Sequence, residues 1–164
     1  MNNVELTQQE LRKLMHYDPL KGEFTWRVSR GGVKAGSVVG HRVSKGYLRC
    51  RVGRKNLLLH RLAFLYMEGE VPEQVDHKNL DKSDNSWDNL RACNNSQNMS
   101  NRGLSKANTS GYKGVSYHKR MGKWMSSVGH LGNTVFLGYF DDIELAALVS
   151  SEARKTLQGD FYYD

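Results

Sequence analysis

The sequence predicts an α+β chain, and three stretches carry that expectation. Residues Tyr47 to Val52 alternate in character, the period-two signature of a half-buried strand. Thr7 and Glu10 have the spacing of a helix capping box in front of an apolar stripe of Leu11, Leu14 and Met15. The tail, residues 111–164, offers three short strands and then a helix.

In chain order, residues 6–16 read as a short helix, with Leu6 and Leu11 at staple spacing and Pro19 forbidding much continuation. A turn at 17–22 leads into a strand at 23–27, and the Gly- and Ser-rich residues 29–37 form a loop. A three-stranded meander follows at 37–43, 47–52 and 56–59. It places Leu48, Cys50 and Val52 on one face and Tyr47, Arg49 and Arg51 on the other. Residues 60–69 read as a helix with Leu62, Ala63, Leu65 and Tyr66 inward, and Pro72 ends that stretch. The polar residues 105–110 read as a linker. Strands are then expected at 113–118, 123–128 and 133–139, with Trp124 and Phe136 in the core. A helix runs from 143 to about 157, capped by Asp141 with Glu144 and closed by Gly159.

A chain of 164 residues fits one domain or two small ones. No run approaches the roughly 18 to 20 apolar residues of a membrane span. The mean hydropathy is −0.65. The start, Met1 to Glu5, lacks the basic and apolar regions of a signal peptide, so a cytoplasmic protein is expected. The two cysteines, Cys50 and Cys93, form no CxxC pair, which excludes a disulfide framework or a cysteine-built zinc site. The net charge is +7 and it is polarised: eleven Lys and Arg lie from Lys21 to Arg61 against the single acid Glu23. Such a surface suits a polyanion. The charge points to a nucleic acid, with Arg49, Arg51, Arg54 and Lys55 of the meander and Arg61 just after it as contacts. No dimerisation heptad is present, so a monomer is expected.

The chemistry concentrates between residues 75 and 103. Asp76-His77 is followed by Asp84-Asn85, by Asn89-Leu90-Arg91 and by Asn98, and His77, Asn89 and Asn98 are spaced by twelve and then nine residues. A neutral imidazole takes a proton near neutral pH, so His77 is a candidate general base for activating water. These positions, over about 25 residues, resemble the HNH endonuclease motif as found in phage-encoded and homing enzymes. The resemblance implies a ββα-metal fold: a strand ending in Asp-His, a polar loop, a second strand near Asn-Leu-Arg, and a helix carrying the last Asn. It implies that the partner is double-stranded DNA, that His77 is the base, that the side-chain carbonyl of Asn89 orients it, and that Asp76 and Asn98 hold one divalent ion. Oxygen ligands suit Mg²⁺ or Mn²⁺. Arg91 follows as a candidate phosphate contact or, equally, as half of a plain salt bridge. Asp76 and His77, adjacent on a strand, serve one phosphate only if the strand end bends or they flank it. The bland alternative is an Asn/Asp-rich turn between two strands.

In the tail, Gly111-Tyr112-Lys113-Gly114-Val115, Gly122-Lys123-Trp124, Phe136 to Asp141 and Glu144 to Ala147 resemble the AP2 DNA-binding domain over about the last 55 residues. The resemblance implies a three-stranded sheet on a helix, with the sheet in the major groove and Ser116, His118, Ser126 and Thr134 among the residues facing DNA. Ser116 stands where plant members of that family often place arginine, so base preference does not carry over. Lys119, Arg120 and Lys123 read as phosphate contacts. The expected organisation is an HNH endonuclease domain at 1–104 (helix and basic strands 1–59, HNH core 60–104), a linker at 105–110 and an AP2-like domain at 111–164. The expected function is a one-metal DNA endonuclease, a nicking enzyme of phage or homing type. Two alternatives stand beside it: a non-enzymatic AP2-like regulator carrying a vestigial nuclease domain, and a nuclease acting on RNA.

Overall fold

Thr7 starts the first helix as its spacing requires. In the computed structural model, which describes residues 6–100 and 103–162, the Glu10 N–H reaches Thr7 Oγ1 at 3.3 Å and the Thr7 N–H reaches the Glu10 carboxylate at 2.9 Å. The leader reading of Met1 to Glu5 lies outside the described residues. The chain divides into two units, residues 1–93 and 94–164.

In the first unit, α1 spans Gln8–Leu14 and ends sooner than the apolar stripe suggests. Met15–Asp18 is instead a strand, β1, paired antiparallel with β2, Glu23–Trp26. The reason is burial. Met15 and Tyr17 lie opposite Trp26 and Phe24 and are almost fully buried. A strand puts residues two apart on one face, whereas a helix does not. The meander forms as expected: β3 (His41–Arg42), β4 (Leu48–Val52) and β5 (Lys55–Leu58), in that order. Cys50 faces the core and Arg51 faces solvent. Next, α2 (Leu59–Glu68) buries Leu59, Leu62 and Ala63, and Gly69 ends it in the left-handed region (φ 84°). The antiparallel pair β6 (Gln74–His77) and β7 (Leu90–Cys93) completes the unit. Both cysteines are buried and free.

The second unit opens with α3, Asn95–Ser100. Asn94 Oδ1 accepts the Gln97 N–H at 2.9 Å and Gln97 Oε1 accepts the Asn94 N–H at 2.8 Å, a reciprocal cap. Strands β8 (Val115–His118), β9 (Lys123–His130) and β10 (Asn133–Phe140) make an antiparallel sheet in the order β10-β9-β8. Behind it lies α4, Ile143–Gln158. Its cap is Asp142, which accepts the Leu145 N–H at 2.9 Å, rather than the expected Asp141, which bonds Lys123 at 3.0 Å. Ala146 and Ser150 of α4 are buried along with Val115, Ser126 and Val128 of the sheet. Gly114 (φ 71°) permits this approach, since a Cβ there would meet the Ser127 carbonyl and Ser150 Oγ.

Two expectations about this sheet are overturned. Ser126, expected to face DNA, is fully buried because it pairs with Val115 on the helix side. Phe136, expected in the core, is 55% exposed, and the register shifts between Phe136 and Gly138. The unit boundary also differs from the expected linker. It falls between Cys93 and Asn94, and α3 groups with the C-terminal unit, where it neighbours the turn at Gly159–Phe161.

Candidate active site

Strand β6 ends in Asp76 and His77, which are 6% and 4% exposed. Across the pair, Asp76 lies opposite Arg91 and His77 opposite Leu90. Arg91 Nε and Nη2 both reach Asp76 Oδ2, at 2.8 and 2.7 Å. Of the two readings of Arg91, phosphate contact or salt bridge, the structure shows the salt bridge. Opposite charges directly across two strands, with little solvent between them, make a charge-assisted pair.

His77 Nε2 lies 3.1 Å from Asn85 Oδ1. An amide oxygen only accepts, so Nε2 carries the proton and Nδ1 carries the lone pair of the neutral ring. Burial holds the His77 pKa below the usual imidazole range, and the Asn85 bond and the charges of Asp76, Asp84 and Asp81 oppose it. The ring is thus neutral at pH 7 and able to take a proton.

Asn89 was the expected partner of that ring, and the structure places it otherwise. Its Oδ1 accepts the Asn79 N–H at 3.0 Å and its Nδ2 donates to the Asp84 carbonyl at 2.8 Å. Asn89 closes the loop between the two strands, and Asn85 meets His77. The loop is built from side chains that cap its own backbone. Asp84 Oδ1 accepts from Ser86 N and Oγ at 3.1 and 2.6 Å, and Asp84 Oδ2 accepts from Asn79 Nδ2 at 2.7 Å.

Sequence reasoning missed what supports Asn85. The β1–β2 hairpin buttresses it: the Tyr17 hydroxyl donates to the Asn85 carbonyl at 2.6 Å, and the Trp87 N–H donates to the Pro19 carbonyl at 2.8 Å. Gly22 (φ 69°) packs so closely that a Cβ would strike the backbone of Asn85 and Ser86. The pair Asp84-Asn85 was visible in the motif, but nothing local marks Tyr17 or Gly22. His60 was also underread. It is 5% exposed, with its ring centroid 5.2 Å from those of both His77 and Tyr47, and its Nδ1 has no hydrogen-bond partner. Burial, with His77 and Arg61 nearby, pushes its pKa down to about 3.

The remaining predicted residues scatter. Arg61 Nη1 donates to the Glu73 carbonyl at 3.2 Å, tying α2 to the start of β6. Arg51 Nε donates to the Gly53 carbonyl at 3.1 Å. Arg54 is exposed and Lys55 half-buried at the β4–β5 hairpin, whereas Arg49 is half-buried with Nε unpartnered. Lys119 and Arg120 are exposed on the β8–β9 turn. Lys123 pairs with Asp141. Asn98 is half-buried on α3, with its backbone N–H on the Asn94 carbonyl at 3.0 Å.

Asp76 in the first unit carries a carboxylate and Asn98 in the second an amide oxygen, donors of the hard type. Among the described residues no group of three or more His, Cys, Asp or Glu could hold a metal.

Residues 57–100 match the family model described as HNH endonuclease. The match supports an HNH nuclease domain over that span and, with it, a nuclease and hydrolase role in general. No curated protein and no solved structure matches the chain significantly. Among the described residues, no helix is long and apolar enough to cross a membrane.

Proposed function

We propose that the protein is a metal-dependent DNA endonuclease, a phage or homing-type nicking enzyme, with His77 as general base. The observation that carries this reading is the His77 ring: buried, neutral, and bonded through Nε2 to Asn85 so that Nδ1 is the basic atom. A water at Nδ1 gives up its proton as its oxygen attacks phosphorus. The bond to the 3′ oxygen breaks, and that oxygen takes a proton from solvent water, leaving 5′-phosphate and 3′-hydroxyl ends. A bound Mg²⁺ or Mn²⁺ supplies neutralisation of the charge that gathers on the phosphate and leaving oxygens. Asp76 and Asn98 are its proposed ligands. Asp76 is on β6 and Asn98 on α3, and assigning both to one ion rests on the motif spacing. Arg91 holds Asp76 in one rotamer. Asn89 keeps the loop closed and so acts as a positioning residue. The exposed cations Arg51, Arg54, Lys119 and Arg120 contact phosphates, and residues 111–164 act as an AP2-like binding module.

One observation favours a second reading. The Arg91 guanidinium already occupies Asp76 Oδ2, as it would in a regulator that has kept the nuclease fold without its metal. A cleavage assay decides between them. Supercoiled plasmid, and a fragment library in case the plasmid lacks the target site, are incubated with Mg²⁺ or Mn²⁺, with EDTA as control. Open-circle product that EDTA abolishes supports the enzyme. Retained DNA binding with no cutting of either substrate under either metal supports the regulator, and cutting confined to RNA would overturn both.

A further inference from the structure

The face of the C-terminal sheet turned away from α4 carries an apolar ridge that the motif reading left out. Phe136 is 55% exposed and Tyr139 is 38% exposed, although both are large aromatics. Strict alternation along β10 would send residues three apart to opposite faces. The register shift between Phe136 and Gly138 brings them together, with ring centroids 5.0 Å apart. Tyr139 in turn meets His118 of β8 at 5.2 Å, and Met121 N–H on His118 Nδ1 at 3.2 Å fixes that ring. The ridge therefore crosses the whole sheet.

The rest of this face is short or apolar. Register places Ser116 and Met125 beside Tyr139, and Ser127 opposite Phe136. Its long donor, Lys123, is held by Asp141. Such a face lacks the free arginine or lysine that reads guanine in the major groove. It offers what contacts a methyl group. Charge says what it meets. Residues 103–140 hold five Lys and Arg and no Asp or Glu, whereas residues 141–164 hold six acids and two bases. The sheet half of the unit is thus cationic and the helix half anionic. Lys119 and Arg120 are exposed on the turn directly after His118.

We infer that this ridge is a specificity surface that contacts thymine methyl groups in the major groove of duplex DNA, with Phe136 and Tyr139 as the reading residues. The inference rests on the DNA-binding role proposed above. The ring geometry favours duplex over single strands. Successive unpaired bases stack on open aromatic ring faces. Here the rings lie at 59° and 68° to one another and fill each other's flanks. They form a ridge rather than a row of platforms, and thymine is the base that presents a methyl in that groove.

The test changes the DNA before the protein. A random-sequence duplex pool is amplified with dTTP or with dUTP, which removes the methyl and leaves the pairing intact. Binding of the full chain to each pool is measured by competition in EDTA, so that nothing is cut. The thymine pool should bind more tightly by about three- to fourfold for each methyl contacted. Phe136→Ala and Tyr139→Ala should each lower affinity for the thymine pool by more than for the uracil pool, so that the preference shrinks. Both rings are exposed, and an unchanged circular dichroism spectrum shows that the variants fold. Equal binding of the two pools by the wild type overturns the inference, as does a single-stranded pool that outcompetes duplex. If neither pool binds, the DNA-binding reading itself fails, which is a different result.

Discussion

His77 and Phe136 stand at opposite extremes of support. His77 is 4% exposed and bonded to Asn85, which the Tyr17 hydroxyl holds from behind. Phe136 is 55% exposed and touches Tyr139 beside it. A base that must present one nitrogen to one water needs its rotamer and tautomer fixed in advance. A ring that makes apolar contact needs only to be displayed. The first unit therefore spends tertiary structure on one imidazole, and the second leaves its paired aromatic rings bare.

Acid should break the supported region first. His60, and His77 beside it, bind protons less readily folded than unfolded, the former with a pKa of about 3. The unfolded chain therefore takes up protons as pH falls from about 6.5 towards 3, and stability is lost through that window. Above it the contribution is complete. Between pH 7 and pH 4 the loss from His60 should be roughly 3 kcal/mol. It is read from hydrogen exchange in residues 6–93, and a His60→Leu variant should flatten the dependence. An equal slope in the variant would remove His60 as the cause.

Gly22→Ala probes the buttress. A left-handed position and a blocked Cβ together should cost roughly 2 to 3 kcal/mol. Urea unfolding measures it, and a loss under about 0.5 kcal/mol would show that the hairpin does not press on Asn85. Asn85→Ala should slow single-turnover cleavage about tenfold, the worth of one hydrogen bond to the base, with DNA affinity unchanged. Asn89→Ala should act instead on the loop, lowering protection of the Asn79 amide. If the two variants exchange phenotypes, Asn89 is the orienting residue. Phe136→Ala marks the other extreme: its effect on unfolding should stay within about 0.5 kcal/mol.

How much of this could be read in advance differs between the two regions for a physical reason. The capping box of Thr7 and Glu10, the alternation through Cys50 and the end of α2 at Gly69 are local, and local rules found them. Asp76 and His77 stand out in the sequence because their chemistry and spacing are distinctive. Asn85 was displaced by Asn89 in that reading because a chain of side-chain turns, closed by Asp84 and Asn79, decides which amide faces the ring. Tyr17 and Gly22 act across more than sixty residues of sequence, where no period or motif reaches. For Arg91 the sequence left phosphate contact and salt bridge even, and strand register, which sets it opposite Asp76, made the salt bridge. In the sheet, one register shift reversed Phe136, and pairing with Val115 buried Ser126. Shifts of that kind depend on the partner strand and leave no mark in a single segment.

The central claim is that His77 takes the proton from the attacking water. Single-turnover nicking of plasmid in Mg²⁺ should fall by roughly 10² to 10⁴ in His77→Ala, with DNA affinity and fold retained, because that is the range a general base contributes. A His77→Ala protein that binds and nicks DNA at the wild-type rate would contradict it.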